Sequence, residues 1–179
     1  MPAEPLKLVP AAIEFALLRH EGHFRKHSRV PYIVHPLRIF ATLTLRVGIK
    51  DEAALAAAIL HDTIEDTRTD YDELLHQFGR EVADLVRAMT KDTRMPEEER
   101  ETAFLKQVLE APLKARIIKL ADNYDNLSDR VRENDAKEMV RSALQKKPHI
   151  DAICASLPEE YQWFCDEVKA VMNRCLAAR

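Results

Sequence analysis

Apolar residues recur at three- and four-residue intervals along most of the chain. One stripe runs Leu37, Phe40, Leu43, Val47; a second runs Ala54, Leu55, Ala58, Ile59. Val82, Leu85, Val86 and Met89 form a third, and Ile117, Leu120, Ala121 and Tyr124 a fourth. Near the end, Tyr161, Phe164, Cys165, Val168, Met172 and Cys175 repeat the pattern. This is the period of a helix that buries one face. No β-branched alternating run of strand length occurs. The pattern predicts an all-α chain of about eight to ten helices.

The punctuation between stripes agrees. Pro36 is expected to open a helix that Gly48 closes. Asp51 is placed to cap the next helix, which runs toward His61. Thr69 with Asp72 resembles a capping box for a helix stopping at Gly79. Pro96 and Pro112 sit at plausible first helical positions, and Pro148 and Pro158 are expected to punctuate C-terminal helices. Thr90–Pro96 reads as an exposed loop. No repeat, low-complexity tract or linker interrupts the chain, so residues 1–179 read as one domain.

Composition narrows the chemistry. Only three glycines occur in 179 residues, so neither G-x-x-x-x-G-K-[ST] nor G-x-G-x-x-G can be written. Any phosphate must be handled without a glycine-rich loop. Cys154, Cys165 and Cys175 form no C-x-x-C pair, which suggests free thiols and a reducing cytoplasm. The opening MPAEPLKLVP lacks a positive start and an apolar run, so no secretory signal is expected. The apolar stretches are too short and too charged for a membrane span. A net charge of −3 gives no reason to expect nucleic acid. Charge is unevenly spread: residues 19–46 are basic, and residues 51–73 are acidic around a histidine.

Four residues stand out inside this pattern: His35, His61, Asp62 and Asp122. His61 and Asp62 end an apolar helix. His35 precedes Pro36, and Asp122 sits in the apolar stretch Ile117–Ala121, where an unpaired carboxylate would be costly. Two imidazoles and two carboxylates make a mixed nitrogen and oxygen donor set suited to Mn²⁺ or a similar divalent metal. Glu65 and Asp66 follow His61 and Asp62 by four residues, so a continuing helix would put each on its partner's face. There they can orient water or take its proton. Lys119, Asp122, Asn126 and Asp129 share a polar stripe. The basic run Arg25-Lys26-His27-Ser28-Arg29 precedes Tyr32 and His35, and can anchor a phosphorylated purine.

The order H…HD…D resembles the signature of HD-domain metal phosphohydrolases. His20-Glu21-Gly22, Phe24-Arg25-Lys26, Pro31–Pro36, Ile59–Thr67 and Ile118–Asp122 follow, in order, motifs similar to the hydrolase domain of RelA/SpoT-type alarmone enzymes. The resemblance covers about residues 10–130; residues 131–179 carry helical signals only. It implies an HD-domain helical bundle, Mn²⁺, and hydrolysis of the 3′-pyrophosphate of (p)ppGpp. It implies metal ligation by His35, His61, Asp62 and Asp122, and water activation by Glu65 and Asp66. Arg25 would stack on guanine, with Lys26, Tyr32 and Asn126 near the nucleotide. The chain has no room for a synthetase, so a stand-alone small alarmone hydrolase is expected. Asn123–Asp129 departs from the family's usual Arg-Leu-His-Asn-Met-Arg-Thr, which leaves another phosphorylated nucleotide, an adenine alarmone or a nucleotide cofactor, as an alternative substrate; a nucleotide-sensing module without catalysis is a further alternative, although every candidate ligand is present.

Overall fold

A computed structural model describes residues 7–26 and 28–178. His27 of the basic run, and residues 1–6, lie outside the described residues. The chain order is α1 (Leu8–Arg19), α2 (Val34–Ala41), α3 (Glu52–Leu60), α4 (Thr63–Asp66), α5 (Tyr71–Met89), α6 (Glu97–Glu110), α7 (Leu113–Glu133), α8 (Ala136–Ser156) and α9 (Gln162–Leu176). A π-helical turn, Thr42–Val47, extends α2, and a short 3₁₀ turn, Glu159–Tyr161, precedes α9. The described residues contain no strand, only an isolated bridge between Phe24 and Pro31.

α3 is the centre of the fold. Its sequence is apolar all round, and Ala54 through Leu60 are buried at every position. α1, α2, α5 and α7 pack around it, while α8 and α9 pack on α7 and on each other. The buried apolar side chains form one cluster reaching from Val9 to Cys175. The three cysteines are free and buried within it. No helix among the described residues is long and apolar enough to cross a membrane.

The helix ends show which local signals were decisive. Asp51 caps α3 as expected, accepting from the Ala54 N–H at 2.8 Å. Gly48 ends the α2 segment with φ 78°, a left-handed conformation that glycine adopts without Cβ strain. Gly79, at φ 82° and ψ 171°, breaks α5 into two stretches, so the expected stop is a kink from which a second stretch continues at once. Asp70, rather than Thr69, caps α5, accepting from the Glu73 N–H at 2.9 Å. The Thr69 hydroxyl instead meets that of Thr67.

Pro36 does not open α2. The helix starts two residues earlier, because a first-turn proline removes only an N–H that would be unpaired anyway. Pro96 and Pro112 are the capping residues just outside α6 and α7. Pro148 lies inside α8, although Pro158 does separate α8 from the last helix. A 21-residue helix packed on both α7 and α9 tolerates the one backbone bond that Pro148 forfeits.

Because Ile59 is wholly buried in the last turn of α3, Ile59→Ala is expected to destabilise the protein by about 3 kcal/mol. Denaturant unfolding measures this; a loss below about 1 kcal/mol would contradict the central role of α3.

Candidate metal centre and active site

Three chain segments converge on one point. His35 is in the first turn of α2, His61 and Asp62 follow α3, and Asp122 lies midway along α7. The α3 helix does not run on through the pair. Thr63 turns its hydroxyl back to the Leu60 carbonyl at 2.7 Å, Asp62 sits at φ −99° and ψ 0°, and α4 restarts beyond it. Glu65 and Asp66 are therefore placed by the new turn rather than by a continued α3. The Asp66 N–H still bonds the Asp62 carbonyl at 2.9 Å.

His35, His61 and Asp62 each offer a donor atom within 4.8 Å of the others. His61 Nε2 lies 2.8 Å from Asp62 Oδ2, and His35 Nε2 lies 3.7 Å from it. Asp122 Oδ1 comes within 3.2 Å of His35 Nε2 and 3.8 Å of His61 Nε2. Its other oxygen takes the Lys119 ammonium at 2.7 Å, and Asn126 Nδ2 donates to Oδ1 at 2.5 Å. Both imidazoles are buried to 1% exposure.

The rings are aimed by their far sides. His61 Nδ1 is held 3.0 Å from the Ala58 carbonyl, which leaves Nε2 facing the convergence point. That Nε2 is buried and makes no aligned hydrogen bond. His35 Nδ1 is held at 2.7 Å by Asp125, and Asp125 is itself held by Arg38. An orphaned imidazole nitrogen beside carboxylate oxygens is what a divalent cation would satisfy, so the residues present fit one.

Charge follows the same logic. Burial disfavours protonated His61, but attraction from Asp62 and then Asp122 outweighs it and pushes the imidazole up to about 9. Burial also works against ionised Asp62 and Asp122; His61 holds the first, and Lys119 the second, below the usual carboxylate range. Glu65 and Asp66 go the other way, both raised by burial and by the Asp62 charge. A carboxylate raised toward neutrality is a better proton acceptor. Glu65 is fixed from outside, accepting the Lys91 N–H at 3.1 Å, so the Thr90–Pro96 loop reaches the site.

A cavity of about 340 Å³ opens beside this point. Arg25, Lys26, Tyr32, Asp62, Glu65, Asp66, Asp122 and Asn126 all line it. Tyr32 donates its hydroxyl to Asp62 Oδ2 and stacks on buried His20, with ring centroids 4.7 Å apart. Arg25 lies 5.5 Å from the Tyr32 ring, bonded to Asn126 Oδ1 at 2.8 Å and Asp129 Oδ2 at 2.9 Å. Lys26 is exposed at the rim. The basic and acidic segments of the sequence pair little with each other. Arg19 meets Glu73, but Arg25 and Arg38 pair with α7 carboxylates, and Arg46 pairs with Glu167.

Sequence reasoning missed two parts of the site. One is Asp125, which sits one turn after Asp122 and so shares its face of α7. The other is α8, whose Glu138, Arg141, Ser142 and Gln145 line the cavity. Their three- and four-residue spacing was a readable polar stripe in a segment with no recognised motif.

A family model for the HD domain matches residues 12–147. The guanosine-3′,5′-bis(diphosphate) 3′-pyrophosphohydrolase MESH1 of Xenopus tropicalis is 39% identical over 123 residues, covering 68% of this chain and 69% of that protein. Its Homo sapiens counterpart is 40% identical over 130 residues, covering 72% of each chain. A solved structure described as "A metazoan ortholog of SpoT hydrolyzes ppGpp and plays a role in starvation responses" superposes with a TM-score of 0.83. It covers 96% of this chain and 97% of its own at 24% identity, a likeness of fold.

Asp125→Asn is expected to weaken divalent-metal binding about 10- to 100-fold while leaving the helical spectrum intact, measured by competition with a chelating dye. Unchanged affinity would show that Asp125 does not orient His35. In the metal-free protein His61 holds its proton until about pH 9, so metal must displace that proton. Apparent metal affinity should therefore rise about tenfold per pH unit below that value; a flat profile between pH 6 and 8 would overturn this. The raised His61 value also stabilises the metal-free fold fully below pH 6.5, and this contribution is lost as pH rises through about 9.

Proposed function

The chain belongs to the HD domain family, and we propose that it is a metal-dependent guanosine-3′,5′-bis(diphosphate) 3′-pyrophosphohydrolase. The observation that carries the reading is the convergence of His35, His61 and Asp62, with Asp122 against both imidazoles, beside a cavity lined by Arg25, Glu65 and Asn126. Relatives of similar length carry that activity in their names.

We assign metal ligation to His35, His61, Asp62 and Asp122. Manganese is the finer proposal, since two nitrogen and two oxygen donors beside an open cavity suit it better than a closed structural zinc site. When bound, such an ion supplies Lewis-acid polarisation of phosphoryl oxygens and acidifies water. Glu65, raised by burial and steadied by the Lys91 N–H, takes the proton of the attacking water. The new bond joins the water oxygen to the phosphorus on the ribose 3′-oxygen, and the bond from that phosphorus to the 3′-oxygen breaks. The 3′-oxygen takes up a proton, and GDP (or GTP) and pyrophosphate leave. Asp66 shares the raised environment and supports the same proton movement.

Arg25, 5.5 Å from the Tyr32 ring centroid and fixed by Asn126 and Asp129, lines the cavity, and we assign guanine stacking to its guanidinium. Asn126 links Arg25 to Asp122, and Lys26 adds charge at the rim. We read residues 1–179 as a single functional unit. A cytoplasmic setting belongs to the same reading, because all three thiols are free and buried.

Incubating the protein with guanosine-3′,5′-bis(diphosphate) and Mn²⁺ should yield GDP and pyrophosphate, and EDTA should abolish the reaction. Asp62→Ala should remove turnover. Glu65→Gln should lower kcat about 100-fold or more while retaining metal. Turnover that survives Asp62→Ala, or an adenine alarmone cleaved in preference to the guanine compound, would overturn the assignment.

A further inference from the structure

Little in the immediate surroundings of Glu65 holds its carboxylate in place. α4 is a single turn that restarts after the break at Asp62, and a turn of that length is not stable by itself. Among the described residues, one hydrogen bond reaches the Glu65 carboxylate, from the Lys91 N–H to Oε2 at 3.1 Å. The position of this group therefore depends on one backbone amide outside α4.

That amide follows the end of α5. Thr90 leaves the helix at φ −92° and ψ 129°, and the last carbonyls of a helix find no acceptor role within it. α6 supplies the missing donor. The Gln107 side-chain amide donates to the carbonyls of Arg87, Ala88 and Thr90 at 3.1, 3.1 and 3.0 Å. On the same helix, Glu101 takes the Lys91 ammonium at 2.6 Å, with the Phe104 ring 5.2 Å from it. So α6 holds the segment on both sides of the amide that reaches Glu65. Gln107 fixes the backbone before it, and Glu101 fixes the Lys91 side chain.

α6 is anchored separately. Phe104 and Val108 are buried in the core, whereas Gln107 is exposed and contributes nothing to that packing. Gln107 also lines neither the metal cavity nor the larger cavity beside α6. Its contacts are with the end of α5, and through it with the Lys91 amide.

We propose that Gln107 is a positioning residue for Glu65: it fixes the end of α5 so that the Lys91 N–H holds Glu65 Oε2 and leaves Oε1 for the proton of the attacking water. The proposal rests on the functional reading above, in which Glu65 is the proton acceptor. A shift of the Thr90–Lys91 backbone turns the carboxylate away from that water, and a misplacement on the order of 1 Å costs up to about 100-fold in rate. Because Gln107 lines neither cavity, the effect falls on kcat and not on substrate binding.

The test uses two variants of the full chain. Gln107→Glu keeps the side-chain size and removes both donors, and Gln107→Lys restores a donor. With guanosine-3′,5′-bis(diphosphate) and Mn²⁺, Gln107→Glu should lower kcat about tenfold or more with KM within about twofold of wild type, and Gln107→Lys should recover most of the loss. An unchanged kcat, an effect on KM alone, or equal losses in both variants would overturn the proposal. Amide hydrogen exchange in the metal-free protein reads the same contact without turnover. The Lys91 amide should exchange about tenfold faster in Gln107→Glu, while α3 amides such as that of Leu60 keep their rates. If the wild-type protein cleaves no nucleotide, the functional reading fails on its own account, and exchange decides the positioning contact. Faster exchange confined to the Lys91 region and reversed by Gln107→Lys supports it; unchanged rates, or faster exchange throughout the chain, reject it.

Discussion

Two carboxylates, Asp62 and Asp122, are held against two buried imidazoles inside a sandwich of apolar helices. That placement is electrostatically demanding: the imidazoles and Asp122 are buried, and Asp62 meets solvent only through the cavity beside them. The rest of the structure answers the demand. Lys119 and Asn126 hold one carboxylate and Tyr32 holds the other. The Ala58 carbonyl and Asp125 take the outer ring nitrogens. What these partners leave unmet is the inner face of the cluster, which is where a divalent cation fits.

The fold serves this arrangement by keeping α3 apolar on every side. A helix with one wet face could not carry a His-Asp pair into the interior from its end. Because α3 is enclosed by α1, α2, α5 and α7, the turn that follows it emerges opposite the start of α2 and the middle of α7. The donors thus come from elements far apart in sequence, fixed by core packing rather than by a local loop. This suits a chain whose three glycines all adopt positive φ in turns or kinks.

Much of this was legible in the sequence, for identifiable reasons. The helical stripes at Val82–Met89 and Phe164–Cys175 depend only on period, and every apolar residue named in them is buried. Asp51 and Gly48 act through local backbone chemistry, so they could be placed without the fold. Pro148 could not, because its tolerance depends on neighbours along both sides of α8. His35, His61 and Asp62 stood out because polar residues interrupt apolar runs. Asp125 did not, since its importance lies in reaching His35, 90 positions away. The α8 face was hidden for a similar reason: a polar stripe looks like solvent-facing surface until another element is seen to enclose a cavity with it.

The chain of contacts from His35 through Asp125 and Arg38 to Asp129, and on to Arg25, has one more consequence. It ties the His35 imidazole to the Arg25 guanidinium that lines the cavity, through successive charge-paired side chains. Asp125 and Asp129 are both buried, so removing either arginine would leave a buried carboxylate short of its partner and disturb the rest of the chain.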